Sequence, residues 1–342
     1  MAIVTALRSV PAKLEKASFH FLLNRFRKDI NPSLPRHIQI EPTVRCNLNC
    51  AFCSRRLVIG DYARVDFPVD EFGKVLVQFP DLRSVRLQGL GEPLMHPEIE
   101  ALLRKLKQRG VRTWLATNGT LLNRKTMREL VHEYVDDLAV SIDSPDRTVF
   151  SELRRGARLD DVCEGVRALV KERPAGKRGT TVGINFVVSH RNYTRARALA
   201  ALAADLKVDY VSFVAVENWT VRGERGFDES SGFVREARRR NKDISREIRA
   251  ASRKLLARGI LPGFKRPSRR LGKCLWPFAA TFITVEGYVT PCCIRMHSGH
   301  ALGTLRGDTS FEQLWHSDVY RRLRQCHLSL DQGNPMCGMC PD

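Results

Sequence analysis

No part of this 342-residue chain approaches 18 consecutive apolar residues, so no membrane-spanning helix is expected. The apolar Ala2–Leu7 stretch ends after six residues at Arg8, too short for the core of a secretory signal, and the expected compartment is the cytoplasm. Fixed-period repeats and low-complexity tracts are missing, which argues for a globular chain rather than a repeat array. Acidic residues are scarce: 37 Asp and Glu against 57 Lys and Arg leave a formal charge of +20. That field favours an anionic partner, such as a phosphorylated, carboxylated or nucleotide-bearing substrate. RNA-recognition motifs and aromatic-rich basic strands are lacking too, so nucleic acid is not the expected partner.

What the chain does have is 43% hydrophobic residues, enough for one large catalytic domain and a small appended one. Residues 1–36 read as a basic amphipathic helical segment, with Phe19, Leu22, Leu23 and Phe26 at near-helical spacing before Asn31-Pro32. From His37 short strands alternate with helices. Strands are expected at His37–Glu41, Ser84–Gln88, Arg112–Ala116, Asp137–Ile142, Thr181–Val188 and Tyr210–Val214. Helices are expected at Phe67–Gln78, His96–Arg109, Leu159–Lys171 and Thr194–Asp205. The pattern predicts an α/β fold: a partial (β/α)6 TIM-like barrel over residues 37–230, short of the eight units of a closed barrel. Residues 231–272 read as an exposed basic helical linker closed by Pro262-Gly263. Residues 273–342 read as a small β-hairpin-plus-helix module rich in cysteine, its helix at Phe311–Arg324.

The ten cysteines are clustered in a way that argues for metal rather than disulfides. Cys46, Cys50 and Cys53 form a C-x3-C-x2-C loop at the carboxyl end of the first strand, the face where β/α barrels gather active sites. Iron–sulfur clusters usually take four thiolates. Three in one loop, without a neighbouring fourth, leave one iron open; zinc is the competing reading.

This triplet resembles the signature of the radical S-adenosylmethionine (SAM) superfamily, and further segments match in order. Phe52 stands where relatives often carry an aromatic near the adenine, and Gln88-Gly89-Leu90-Gly91-Glu92-Pro93 resembles the family's glycine–glutamate–proline motif. The resemblance implies that Gly91 allows close backbone approach and that Glu92 accepts hydrogen bonds from the SAM ammonium. It further assigns Asn118, in Thr117-Asn118-Gly119, to the turn after strand three. Ser141 and either Arg154 or Arg155 are assigned to the SAM ribose or carboxylate, with Asn185 and Asn192 as weaker candidates. The cofactors it implies are SAM and a SAM-binding 4Fe–4S cluster that generates a 5′-deoxyadenosyl radical.

The spacing of Cys274, Cys292, Cys337 and Cys340 resembles the twitch module, the shorter relative of the SPASM domain, which carries one auxiliary 4Fe–4S cluster. Thr284–Cys292 fits its hairpin with Gly287 at the turn, although Ile294-Arg295 stands where many relatives place an acidic residue. Zinc on the same four thiolates is again the competing reading. Cys163, Cys293 and Cys326 are left over, as buried core thiols or as hydrogen donors to a product radical. Arg295 and Lys273 are candidate contacts for an anionic substrate. In spacing the chain resembles dehydrogenases of the 2-deoxy-scyllo-inosamine type, which implies net oxidation of a small metabolite. A flavodoxin or ferredoxin is the implied electron donor. Redox-neutral epimerisation and modification of a ribosomal peptide are the alternatives, the last disfavoured by only 36 residues before the barrel.

Overall fold

The computed structural model describes residues 32–55, 60, 62–174, 179–216, 229–265, 274–292, 298–306 and 309–329. The basic helix expected before Pro32, and Cys293, Cys337, Cys340, Lys273 and Arg295, lie outside the described residues.

Successive βα units follow the sequence alternation. β1 (His37–Ile40) leads into the cysteine loop, then come α1 (Val69–Val77), β2 (Ser84–Leu87), a 3-10 turn (Pro93–Met95) and α2 (Ile99–Gln108). β3 (Arg112–Thr117), α3 (Lys125–Tyr134), β4 (Asp137–Ser141), α4 (Arg147–Leu153) and α5 (Leu159–Lys171) continue the series. β5 (Thr181–Val188), α6 (Ala196–Asp205) and β6 (Tyr210–Ala215) complete six parallel strands in sequence order. Alternation assigns each strand's two faces. Ile38, Ile40, Val85, Leu87, Leu138, Val140, Ile184 and Phe186 are buried in one core with the helices. Their neighbours Arg86, Trp114, Asp137, Asn185 and Ser212 fall on the opposite, inner face. α5 shows why the helices seat there: Leu159, Val162, Val166 and Leu169 form its buried stripe, while Asp160 and Asp161 in the first turn and Lys171 in the last complement the helix dipole.

The part of the expected linker that lies within the described residues, 231–265, is not simply exposed. α7 (Glu229–Arg239) and α8 (Asn241–Leu256) lead into β7 (Leu261–Lys265), which pairs parallel with β6. The narrow stripe Ile244, Ile248, Ala251 and Leu255 on α8 is buried, and α8 packs against the alanine-rich α6. Small residues on α6 let a thin apolar stripe suffice, so the charged remainder of α8 disguised it in the sequence. Pro262 and Gly263 sit inside β7, at the edge of the sheet, where a missing N–H is tolerated.

The C-terminal residues join the same sheet. After α9 (Trp276–Ala279), β8 (Ala280–Ile283) pairs parallel with β1, and β9 (Tyr288–Thr290) and β10 (Gly303–Thr304) add antiparallel strands. The described strands form one open ten-stranded sheet in the order β10-β9-β8-β1-β2-β3-β4-β5-β6-β7. The helix expected over 311–324 is two, α10 (Phe311–Trp315) and α11 (Asp318–Leu328), because Ser317 caps a new start by accepting from the Tyr320 N–H. Among the described residues no helix is long and apolar enough to cross a membrane.

Candidate active site

β1 delivers Cys46, Cys50 and Cys53 to the carboxyl end of the sheet, and two neighbouring loops hold them there. The Asn49 N–H donates to Arg155 O (3.0 Å) and the Ala51 N–H to Leu153 O (2.9 Å), fastening the loop to the end of α4. From the other side, Asn118 Nδ2 donates to Asn47 Oδ1 and Asn47 Nδ2 to Thr120 Oγ1, both at 2.8 Å. Burial pushes all three thiols above their usual pKa, Cys53 to about 11; Cys50 raises Cys46, and both raise Cys53. Burial and the neighbouring sulfurs thus disfavour ionising the three thiols together, a cost that a bound cation would offset. Two features favour negative charge on sulfur: Arg154 Nη1 lies 3.9 Å from Cys50 Sγ, and the Arg55 N–H donates to Cys53 Sγ (3.5 Å). Among the described residues no group of three His, Cys, Asp or Glu is arranged around a single metal ion. Thiolates that each take a different iron of a cubane need not converge on one point, so this donor set fits an iron–sulfur cluster.

The loop after β2 packs directly on the cysteine loop. A Cβ at Gly91 would fall 2.2 Å from Thr43 O, and the Glu92 N–H donates to Arg45 O (2.7 Å). The enclosed Glu92 carboxylate accepts from the Leu94 N–H (3.2 Å), Thr117 Oγ1 (2.8 Å) and the Asn118 N–H (2.6 Å). Burial lifts its pKa to about 7 against those donors. Glu92 thus spends three of roughly four acceptor sites on the protein, pinning the loops after β2 and β3 together.

The two candidate arginines have different observed contacts. Arg154 pairs with the fully enclosed Asp143 and lies 5.4 Å from the Phe52 ring centre. Burial opposes its charge, but Asp143 and Cys50 outweigh that and raise its pKa. Arg155 gives its backbone carbonyl to the cysteine loop. Asp143 also accepts from the Val187 N–H (2.7 Å), and buried Asn192 donates to Asp143 O and Val187 O (2.8 Å each), a brace for the loop after β5. Ser141 and Asn185 are paired in register on the inner face, both partly exposed. Phe52 meets Phe233 of α7 edge-on at 6.0 Å.

At the amino end of the inner face Arg86 lies 4.0 Å over Trp114, and Tyr210 Oη donates to Asp137 Oδ1 (2.6 Å). This floor escaped the sequence reading; its signal is a set of large polar or aromatic residues at alternate positions of otherwise apolar strands. Beyond the same end lie Cys274, which precedes α9 and β8, and Cys292, which follows the antiparallel β9. His327 Nε2 bonds to Cys274 O (3.0 Å), and Thr290 Oγ1 donates to Cys292 O (3.2 Å). Cys163 sits elsewhere. It is buried on the helical side of the sheet with Arg167, Asp160, Asp205 and Arg147 as charged neighbours, and burial pushes its thiol to about 11. That is the setting of a core cysteine. Cys326 is partly exposed on α11.

An α/β barrel-like sheet with three clustered thiols at its carboxyl end and further cysteines at its amino end defines an iron–sulfur enzyme. Residues 40–211 match the profile of the Radical SAM superfamily and residues 274–341 that of SPASM, an iron–sulfur cluster-binding domain. The chain belongs to the radical SAM superfamily, and its cofactors are SAM, the SAM-binding 4Fe–4S cluster and an auxiliary 4Fe–4S cluster. It is 32% identical over 183 residues to the tungsten-containing aldehyde ferredoxin oxidoreductase cofactor-modifying protein of Pyrococcus furiosus, covering 51% of this chain and 49% of that protein. The chain thus spans about half the length of that relative. It is 26% identical over 329 residues to the AdoMet-dependent heme synthase of Methanosarcina barkeri, covering 90% and 88% of the two chains. Streptococcus suis SuiB bound to precursor peptide SuiA shares the fold at a TM-score of 0.66 and 19% identity, over 92% of this chain and 73% of that one.

Proposed function

We propose that this protein is a radical SAM oxidoreductase that dehydrogenates a small anionic or polyhydroxylated metabolite bound on the inner face of the sheet. Cys46, Cys50 and Cys53 hold the SAM-binding cluster, and Cys274, Cys292, Cys337 and Cys340 hold the auxiliary one. When bound and reduced by a flavodoxin- or ferredoxin-type donor, the first cluster supplies a 5′-deoxyadenosyl radical from SAM. With both clusters in place, the substrate would lose one hydrogen atom to that radical, then one electron to the auxiliary cluster and one proton to solvent, a net two-electron oxidation. Phe52 flanks the adenine, steadied by Arg154 and Phe233. Gly91, Glu92 and Asn118 shape the loops around SAM, and Ser141 with Arg154 or Arg155 faces its ribose or carboxylate.

One observation carries this reading: Cys46, Cys50 and Cys53 follow β1 at one end of the sheet and Cys274 and Cys292 lie toward the other, with β1 and β8 in register between them. Strands of this length span roughly 13 Å at about 3.3 Å per residue. A substrate on the inner face is therefore flanked by a radical source and an electron exit. The walls there offer Arg86 at the floor and Ser141, Asn185 and Ser212 above, groups that suit an anionic or hydroxylated molecule. The test is anaerobic turnover with candidate sugars, amino sugars and carboxylated metabolites. One 5′-deoxyadenosine per two-electron-oxidised product is expected. A redox-neutral product carrying solvent deuterium would replace the reading with epimerisation.

A further inference from the structure

We propose that Glu41 is a positioning residue that locks the tip of the β8–β9 hairpin to the loop after β2, and so sets the spacing between the Cys46–Cys53 triplet and the hairpin base that carries Cys274 and Cys292. Glu41 stands one residue past β1 and is fully buried. Its Oε1 accepts from the Leu90 N–H (2.8 Å), in the glycine-rich loop beside the cysteine triplet. Its Oε2 accepts from the Val285 N–H (3.2 Å), at the tip of the hairpin. Each oxygen serves a different loop. The approach is so tight that a Cβ at Gly89 would fall 2.3 Å from Glu41 Cγ.

The hairpin acts as a strut. Its tip, Thr284–Gly287, meets the loops at the carboxyl end of the sheet, while Cys274 and Cys292 flank its base at the amino end. The Glu41 N–H donates to Ile283 O (2.9 Å), extending the β1–β8 pairing to the tip itself. A second carboxylate secures the other side: Glu286 Oε1 accepts from the Ala63 N–H (2.9 Å). Burial lifts the Glu41 pKa to about 7, and Glu286 adds to it, so a carboxyl here is costly in itself. An apolar residue of similar size would remove that cost but leave two buried N–H groups unpaired. The side chain is thus placed for what it joins.

The test is amide hydrogen exchange on the full-length, cluster-loaded protein. Because one carboxylate closes both bonds, the Leu90 and Val285 amides of the wild type are expected to show matching protection factors. Glu41→Gln keeps only one acceptor oxygen, so at least one of the two amides should exchange about tenfold faster or more, with the Ile283 and Val289 amides unchanged. Glu286→Gln should free Ala63 and leave Leu90 and Val285 protected. In turnover, Glu41→Gln should form more than one 5′-deoxyadenosine per oxidised product, a readout that rests on the electron route proposed above. Unchanged protection of both amides in Glu41→Gln overturns the proposal. Should that variant not fold, unrelated Leu90 and Val285 protection factors in the wild type overturn it equally. A wild type that makes no oxidised product defeats the electron route and leaves the exchange result to decide the lock.

Discussion

Replacing Arg154 with glutamine removes the guanidinium packed against Asp143, Cys50 and Phe52. Asp143 is fully enclosed and the Arg154 side chain is only 11% exposed, so solvent does little to screen the pair. Breaking a buried ion pair by deleting one partner costs about 3–5 kcal/mol, because the remaining charge is stranded. Asp143 keeps the Val187 N–H bond, which places the expected loss near the lower end, about 3 kcal/mol. Equilibrium urea unfolding of the reduced, cluster-free chain measures it, with Asp143→Asn and the double variant completing a cycle. The double variant should lose less than the sum of the singles by about 1.5 kcal/mol or more. An Arg154→Gln loss below about 1 kcal/mol, or a strictly additive cycle, refutes the argument that this enclosed pair is poorly screened and strongly coupled.

Alanine at Cys46, Cys50 or Cys53 should abolish SAM cleavage and remove about four irons per chain, while Cys274→Ala should remove the other four and spare the SAM-dependent signal; iron analysis with 5′-deoxyadenosine assays checks both. Glu41, lifted by burial from 4.5 to about 7, holds its proton more tightly folded than unfolded. Its contribution to stability is complete below about pH 4.5 and is lost as pH rises through about 7, on the order of 3 kcal/mol in all. Urea unfolding at pH 5 and pH 8 should therefore show Glu41→Gln gaining on the wild type as pH rises, and a constant gap contradicts the assignment. Cys163→Ala should leave turnover and product labelling unchanged and cost about 1 kcal/mol of stability from lost packing; loss of turnover in a folded variant would restore it as a hydrogen donor.

Local pattern made the six βα units and the cysteine triplet legible, since both depend on spacings within a few residues. Thr181–Val188 and Leu159–Lys171 were legible to the residue because alternation, helical period and helix-end charges agree there. What stayed hidden depends on long-range pairing. Nothing near Ala280 announces that β8 lies beside β1, and Pro262-Gly263 looks like a stop until β7 is seen as an edge. Arg154 and Arg155 are equivalent in sequence; only the folded contacts show that the Arg154 side chain meets Asp143 and Cys50 while the Arg155 backbone carbonyl holds the cysteine loop. Glu41 and Asp143 are single acidic residues at strand ends, and their importance comes from the loops they join. Glu92 was legible as a motif residue, but three protein donors already engage it.

The most direct test of the account is the EPR spectrum of anaerobically reconstituted, reduced Cys274→Ala/Cys292→Ala protein, recorded before and after SAM is added. A reduced 4Fe–4S signal that shifts on adding SAM is expected, because the iron left open by Cys46, Cys50 and Cys53 takes the SAM amino and carboxylate groups. A signal indifferent to SAM, or zinc in place of iron at those three thiols, contradicts it.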